Sequence, residues 1–339
     1  MQVNWRGGAW VAVAAGMLAA ACAGEDPALT AALNTFTVDS LRQEVKALSD
    51  DSMEGRLPAT IGEERATRYI QHEFEALGLS PGNGDSYFQQ VPLVSITANP
   101  NMALTVAGSG HTSRFAYGTQ FMGWTTRVTD RVDVRNSDMV FVGYGIVAPE
   151  YNWNDYAGVD VKGKTVVMLV NDPGFATQDT ALFKGNEMTY YGRWTYKYDE
   201  AARQGAAAAI IVHETAPAGY GWNVVEGSWS GPQFDLVRAD NNMSRVAVEG
   251  WVTLESAHEI FQQAGLDYDA LKEQAATRGF EAVPMGETAS VSVRNTLERS
   301  NSKNVLGILR GSERPDEIVV YMAHWDHLGR DTTLEVSPI

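Results

Sequence analysis

Residues 318–329 read I-V-V-Y-M-A-H-W-D-H-L-G and form the most informative pattern in this chain. Residues 318–323 are β-forming or small apolar residues, and this run predicts a buried strand that ends at His324. In open α/β sheets, ligands bind just outside the carboxyl ends of the strands, and residues i and i+2 of a strand point to the same side. We therefore predict that His324 is a metal ligand and that Asp326 is the catalytic-site carboxylate that orients and tunes it.

The metal prediction depends on the strand that precedes these residues, because a His-x-Asp sequence by itself is more often a surface or capping feature. One His and one Asp do not complete a catalytic zinc site, since such sites usually take three protein ligands. His327 follows closely, and we interpret it as a hydrogen-bonding residue near the site rather than as a second ligand.

The composition is that of a globular protein. Of the 339 residues, 44% are apolar and 20% are charged, and the formal net charge is −16. This length predicts two or three domains. Lys and Arg form no cluster along the sequence, so we predict no nucleic-acid partner. No Gly-x-Ser-x-Gly sequence occurs, which argues against a serine hydrolase.

Residues 1–23 are typical of an export signal, with Arg6 followed by an apolar run too short to span a bilayer. L-A-A-A-C at 18–22 resembles a lipoprotein box with Cys22 as the acylated residue, whereas A-C-A at 21–23 also fits simple cleavage. Cys22 is the only cysteine, so no disulfide is predicted. We expect export to the periplasm or cell envelope, with membrane contact only through a lipid anchor.

Helix and strand patterns outline an interrupted α/β domain. Thr60 and Glu63 predict a capping box that opens an amphipathic helix packed on a sheet and ending at Gly78. Further helices are predicted at 198–204 and 254–264, and an ordered loop at 216–235. The predicted strands are 88–94, 102–106, 139–145, 165–170, 206–212, 280–283, 289–293, 305–309 and 318–323.

Changes in composition divide the chain into a signal (1–23), a first part of the sheet domain (24–114), a β-rich insertion (115–285) and a return to the sheet domain (286–339).

Three groups of residues resemble the M28 family of zinc aminopeptidases. D-S-M-E-G-R at 51–56, with the helix that leads to L-G-L at 77–79, is similar to the opening of that family. F-V-G-Y-G at 141–145, with D-Y-A-G-V-D-V-K-G-K at 155–164, resembles the protease-associated (PA) domain inserted in many members. S-K-N-V at 302–305 and A-H-W-D-H-L-G at 323–329 resemble the return to the catalytic domain.

This resemblance implies an α/β zinc-exopeptidase fold, a mixed-sheet sandwich interrupted by a β-rich PA domain. It implies two zinc ions and the release of N-terminal residues from peptide substrates. It places His324 at the position of a zinc ligand and Asp326 at that of the acid supporting it. The family's bridging Asp and Glu-Glu pair do not follow, and the pattern departs after Glu335. We therefore expect an incomplete metal site, and a chain that is inactive alone although its parent is a metallo-aminopeptidase.

Several interpretations stay open at this point. A PA-like domain on a lipid anchor predicts a non-catalytic protein that binds peptides or other proteins. A related fold with one or two zinc ions predicts another hydrolase or a cyclase. E-G-R at 54–56 is either a substrate-facing loop or, as we favour, a structural loop that holds the entry to the domain through an Arg ion pair.

Overall fold

The computed structural model describes residues 27–108 and 110–330. These residues divide into two compact units, one formed by the described residues up to Gln89 and from Asn304 onwards, and the other by Gln90–Lys303. The predicted export signal and Cys22 lie outside the described residues. Within the part of the chain that the structure describes, no helix is long and apolar enough to cross a membrane.

The first unit is mainly helical. Its short sheet pairs β1 (Ser80–Pro81) with β14 (Gly307–Ile308) in antiparallel fashion. The 3-10 helix Asp51–Arg56 contacts the third of its helices. These helices are α1 (Pro27–Leu33), α2 (Val38–Leu48) and α3 (Ile61–Ala76).

Helix α3 begins where the sequence predicts, although neither of the two hydrogen bonds of the predicted capping box forms between the expected partners. The Thr60 side chain accepts a hydrogen bond from the Gly62 amide at 3.2 Å, which confirms Thr60 as the N-cap. Glu63 accepts from the Ala59 amide at 2.6 Å, not from Thr60 as a capping box requires. Gly78 follows the helix with φ of +73°, a conformation that glycine adopts without strain. Helix α3 contacts the 3-10 helix, and its Phe74 lies beside Gly307 of β14, so its predicted packing on a larger sheet stays a prediction.

The second unit is built on one large mixed sheet of strands in the order β11-β2-β13-β6-β9-β10-β12-β5, with β3 and β4 added beside β13. Strands β6, β9, β10 and β12 are mutually parallel, whereas β11 pairs with β2, β13 with β6, and β12 with β5 in antiparallel fashion. The strands are β2 (Phe88–Ala98), β3 (Ala103–Gly108), β4 (His111–Ala116), β5 (Phe121–Trp124), β6 (Arg131–Phe141), β9 (Thr165–Leu169), β10 (Ala208–His213), β11 (Pro232–Leu236), β12 (Val248–Thr253) and β13 (Val283–Val305). A separate hairpin pairs β7 (Val147–Ala148) with β8 (Trp153–Asn154).

Both faces of the parallel strands are buried. On β9, Val167 and Leu169 belong to one hydrophobic core, whereas Val166 and Met168 belong to the other. Alternate residues of a strand point to opposite faces, so a strand buried on both sides reads as an uninterrupted apolar run. This is why β9 and β10 are readily predicted from sequence.

Helices cover the two faces. Ile260 and Phe261 of α8 and Tyr268 of α9 join the first core, while Tyr198 of α5 and Val225 of α7 join the second. The predicted α/β class with a mixed sheet is confirmed. The helices of this unit are α4 (Pro173–Thr177), α5 (Trp194–Arg203), α6 (Thr215–Ala218), α7 (Trp222–Trp229), α8 (Leu254–Gln263) and α9 (Tyr268–Ala275).

Two local predictions within this unit are wrong. The segment 216–235 is not a loop, since it contains most of α6, all of α7 and most of β11. The strand predicted at 280–283 is wrong except at its last residue, because β13 begins at Val283, whereas the strand predicted at 289–293 is confirmed as part of β13. The register of β13 shifts between Pro284 and Thr288, around Gly286. The inserted PA domain and its boundaries at 115 and 285 stay a prediction.

The strand predicted at 318–323 is absent, which is the main correction to the sequence analysis. These residues have no regular secondary structure, and side chains such as Tyr321 and Met322 are at least 90% exposed. The β propensity of a segment produces a strand only when a neighbouring strand completes the hydrogen-bond ladder. No strand among the described residues pairs with this segment.

Candidate functional site

His324 and Asp326 lie together, but not as two parallel side chains at a strand end. Nδ1 of His324 is 2.8 Å from the backbone oxygen of Asp326 and 3.4 Å from its carboxylate oxygen Oδ1. Both side chains are solvent-accessible, at 78% and 46% exposure. A proton on Nδ1 would be donated to Asp326 and would leave a lone pair on Nε2, which is the tautomer that a metal-binding histidine uses.

The segment that carries this pair is attached to the 3-10 helix of the same unit. The His327 amide donates to the Arg56 oxygen at 3.0 Å, and the Gly329 amide donates to the Gly55 oxygen at 2.9 Å. The contact of His327 is thus a backbone one, and its side-chain role stays a prediction. These two hydrogen bonds fix the backbone on the C-terminal side of Asp326, although the segment is not paired with a strand.

An ion pair reinforces this attachment. Nη1 of Arg330 lies 2.7 Å from Oε2 of Glu54, and Nη1 of Arg65 lies 3.6 Å from Oε1. The hydrogen bond from Arg330 holds the pKa of Glu54 below its usual range. Because Glu54 is ionised at neutral pH, it links the His-x-Asp segment to both the 3-10 helix and α3.

The turn at 54–56 requires an unusual backbone. Glu54, Gly55 and Arg56 all have positive φ, and a Cβ on Gly55 would lie 2.2 Å from the Gly329 oxygen. Glycine is therefore needed at position 55 for the close approach of the two chains. The Arg ion pairs of this loop are formed by Glu54 with Arg330 and Arg65, while the Arg56 guanidinium donates to the Leu48 oxygen.

The residues described do not fit the two-zinc site that the resemblance implies. Over residues 27–108 and 110–330, no group of three or more His, Cys, Asp or Glu side chains is arranged to hold a metal ion. His324 and Asp326 together offer one imidazole and one carboxylate, and a two-metal centre needs a bridging ligand besides. The pair is thus a single ligand with an orienting partner.

A second polar cluster, not predicted from the sequence, lies in the second unit beyond the carboxyl ends of β6 and β9. Lys197 of α5 is fully buried, and its Nζ donates to the Tyr144 oxygen at 2.6 Å. Burial lowers the pKa of Lys197 to about 7, while the charges of Asp155 and Asp172 oppose that shift. A usable signal existed, since Lys197 precedes the buried Ala201 by four residues and shares its helix face.

Each of the two carboxylates of this cluster accepts several hydrogen bonds. Asp155 accepts from the Ile146 amide at 2.9 Å and from the Trp153 indole at 2.7 Å. Asp172 accepts from the Gly174 amide and from the amide and hydroxyl of Thr189. Burial raises the pKa of both carboxyls. Lys197, Asp155 and Asp172 are all at most 2% exposed, so the cluster offers no surface to a ligand.

The chain has curated relatives among aminopeptidases. It is 49% identical over 51 residues to aminopeptidase NAALADL1 of Rattus norvegicus, a match covering 14% of this chain and 7% of that protein. The Mus musculus protein of the same name is 47% identical over 51 residues, with the same coverage. No family model matches the chain.

Solved structures with some likeness are also aminopeptidases. The aminopeptidase from Aneurinibacillus sp. strain AM-1 has a TM-score of 0.37 at 18% identity and covers 82% of this chain and 50% of its own. A peptidase M28 precursor from Shewanella amazonensis SB2B has a TM-score of 0.36 at 14% identity, covering 86% of this chain and 58% of its own. A zinc aminopeptidase from Bacillus subtilis has a TM-score of 0.28 at 13% identity, covering 80% of this chain and 46% of its own.

The resemblance to aminopeptidases expected from the sequence is confirmed, since the curated relatives that match 51 residues of the chain are aminopeptidases. The TM-scores lie below 0.5, so the superpositions carry no argument about this chain's chemistry. The matched stretch is a small fraction of the curated relatives, and the chain spans about half the length of the solved ones.

Proposed function

We propose that this chain belongs to a zinc-dependent metallo-aminopeptidase that releases N-terminal residues from peptides. The observation that carries the proposal is the 49% identity over 51 residues to an aminopeptidase. The local geometry supports it, because Asp326 occupies Nδ1 of His324 and directs Nε2 away as a ligand atom. In this proposal His324 binds one zinc ion, and Asp326 orients the ring and raises its basicity.

A two-zinc site needs further metal ligands besides His324. The proposal assumes these ligands, which are not found among the described residues. A bound zinc ion would polarise the peptide carbonyl and lower the pKa of a water molecule. The role of the present residues is narrower: the turn at 54–56 positions the His-x-Asp segment, and Asp326 keeps the imidazole in one tautomer. On this basis we expect the 339-residue chain to lack significant turnover by itself.

The test is hydrolysis of a panel of aminoacyl anilides by the 339-residue chain and by a longer version in which the bridging Asp and Glu pair of the family follow. We expect turnover by the longer version only. In that version, His324→Ala should abolish activity, and Asp326→Asn should lower it about 10–100-fold, the usual effect of removing a ligand's orienting partner. His72→Ala, which removes an exposed histidine on α3, is the matched control.

Three results would count against this assignment. Turnover by the 339-residue chain would place the site on other residues. Full activity after His324→Ala would remove that residue from the site. A longer version that binds zinc and peptides but hydrolyses none of the anilides would favour the non-catalytic binding protein.

We also propose that the protein is exported and anchored by a lipid on Cys22, which lies outside the described residues. The apolar run before the only cysteine supports this. The measurement is membrane fractionation of cells producing the natural chain or Cys22→Ala, with Cys22→Ser as a second variant lacking the thiol. Loss of membrane association in both variants is expected. Association unchanged by both substitutions would show that Cys22 does not carry the anchor, and a natural chain found only in the soluble fraction would favour simple cleavage of the signal.

A further inference from the structure

A groove of about 400 Å³ opens on the outer face of the sheet of the second unit. Arg131, Asp133 and Arg135 alternate along β6 with the buried Val132 and Val134. Residues i, i+2 and i+4 of a strand share one face, so the three charged side chains stand side by side. They form one wall of this basic groove.

The neighbouring strands complete the groove. Thr105 of β3 lies opposite both Arg114 of β4 and Ser290 of β13, and Ser292 of β13 lies opposite Asp133. Directly opposed residues present their side chains on the same face. Four strands thus bring a third guanidinium and three hydroxyl groups to the outer face that carries Arg131 and Arg135.

The charge of the groove is opposite to that of the protein. Three arginines and one aspartate line it, which leaves two net positive charges in a chain with a formal charge of −16. Hydrogen bonds from Arg131 and Ser292 hold the pKa of Asp133 below its usual range, so the carboxyl is ionised at neutral pH. The positive field is therefore local, and it contrasts with an acidic surface.

The Asp133 carboxylate orients two of the guanidinium groups in the groove but does not use all of their N–H donors. Arg131 donates to Oδ1 of Asp133 through Nε at 3.1 Å and Nη2 at 2.8 Å, and Arg135 contacts Oδ2 at 3.4 Å. A guanidinium has five N–H donors, so Arg131 retains three. For Arg114, no hydrogen bond or ion pair is seen among the described residues. Asp133 thus orients two of the arginines and leaves the third available.

We propose that this basic groove binds an acidic peptide segment, with Arg114, Arg131 and Arg135 donating to its carboxylates. The planar fork of arginine matches a carboxylate bidentately. A nucleic acid is disfavoured, because no aromatic side chain among the lining residues provides a stacking surface for bases. This site lies in the second unit and does not depend on the proposed peptidase function.

The experiment measures binding of fluorescein-labelled hexaglutamate to the 339-residue chain by anisotropy at low salt, with labelled hexaglutamine as the neutral probe. Arg114→Gln should weaken hexaglutamate binding about three- to tenfold, the range of charge-assisted hydrogen bonds at an accessible site. Asp133→Asn should tighten it, because it removes the only negative charge of the groove and frees donors of Arg131 and Arg135. Arg238→Gln removes the same charge from an exposed arginine outside the groove and should leave binding unchanged.

Opposite signs for Arg114→Gln and Asp133→Asn, with Arg238→Gln neutral, would support the proposal. Equal losses in Arg114→Gln and Arg238→Gln would mean a non-specific charge effect and would overturn it. Absence of hexaglutamate binding, or equal binding of hexaglutamine, would overturn it as well. Inorganic phosphate serves as a competitor: binding of phosphate without binding of hexaglutamate would assign the groove to a small anion and overturn the peptide assignment. The unfolding transition of each variant checks that these exposed substitutions leave the fold intact.

Discussion

Glu249 on β12 is a residue whose pKa is changed mainly by burial. Its side chain is 2% exposed and accepts hydrogen bonds from the Trp124 indole at 3.1 Å and the Thr126 hydroxyl at 3.2 Å. Burial raises the pKa of Glu249 to about 7, although Arg245 at 3.7 Å opposes that shift and Asp199 adds to it. The carboxyl therefore titrates near neutral pH.

This pKa predicts a pH-dependent stability. Because the folded pKa lies above the unfolded value of 4.5, the folded state holds the proton more tightly, and stability is lost as pH rises from about 4.5 to about 7. Glu249→Gln keeps an acceptor without a charge, so it should be more stable than the natural chain by up to about 3 kcal/mol at pH 8 and equal to it near pH 4.5. Urea unfolding across this pH range measures the difference.

The matched control is Glu298→Gln, which neutralises an exposed glutamate on β13. A pH-independent difference for Glu249→Gln, or the same profile in both variants, would mean that burial of Glu249 does not raise its pKa in the folded protein.

At the scale of elements, α3 begins as its sequence predicts because the capping chemistry is local. Thr60 accepts from the Gly62 amide and donates to the Leu57 oxygen at 2.6 Å. Both partners lie within three residues of Thr60, so the N-cap can be predicted from the sequence without the tertiary structure. The Glu63 carboxylate accepts from the Ala59 amide and not from the Thr60 amide. This choice of donor depends on the turn that precedes the helix, where Ala59 has positive φ.

We predict that Thr60→Ala weakens the first turn of α3 by about 1 kcal/mol, the usual cost of losing an N-cap side chain. Amide hydrogen exchange at the N-terminus of α3 should accelerate accordingly, since exchange there reports local opening. Thr60→Ser keeps the hydroxyl and should preserve most of the protection. Equal acceleration in both variants would assign the effect to the lost methyl group instead of the cap.

At the scale of the molecule, the contacts separate residues 90–303 from the remainder of the described chain. The insertion predicted at 115–285 is shorter. It would divide β4 and β13 and would omit β2 and β3, each of which pairs within the sheet. Removing ladder partners exposes backbone groups and apolar surface of the remaining strands.

Expression of residues 90–303 should therefore give a protein with a single cooperative thermal transition, because both hydrophobic cores lie within this segment. Residues 115–285 alone should unfold at a lower temperature or without cooperativity. Equal stability of the two fragments would support the shorter insertion, and would show that β2, β3 and the outer part of β13 add little to the fold.

The sequence by itself determined features whose causes are local or periodic. Strands β9 and β10 appear as apolar runs because both of their faces are buried, and the cap of α3 appears as neighbouring residues. The contact between His324 and Asp326 could also be predicted, since the two residues are only two positions apart in the sequence.

Only the tertiary structure decided which distant residues meet. The exposure of 318–323 follows from the absence of a pairing strand among the described residues, which a run of β-forming side chains does not reveal. Lys197 meets Asp155 and Asp172 because helix α5 places it against the ends of two parallel strands. The basic groove exists because sheet pairing brings Arg114 onto the same face as Arg131, although no cluster of basic residues occurs along the chain. Charge interactions act through space, and the order of strands in the sheet sets those distances.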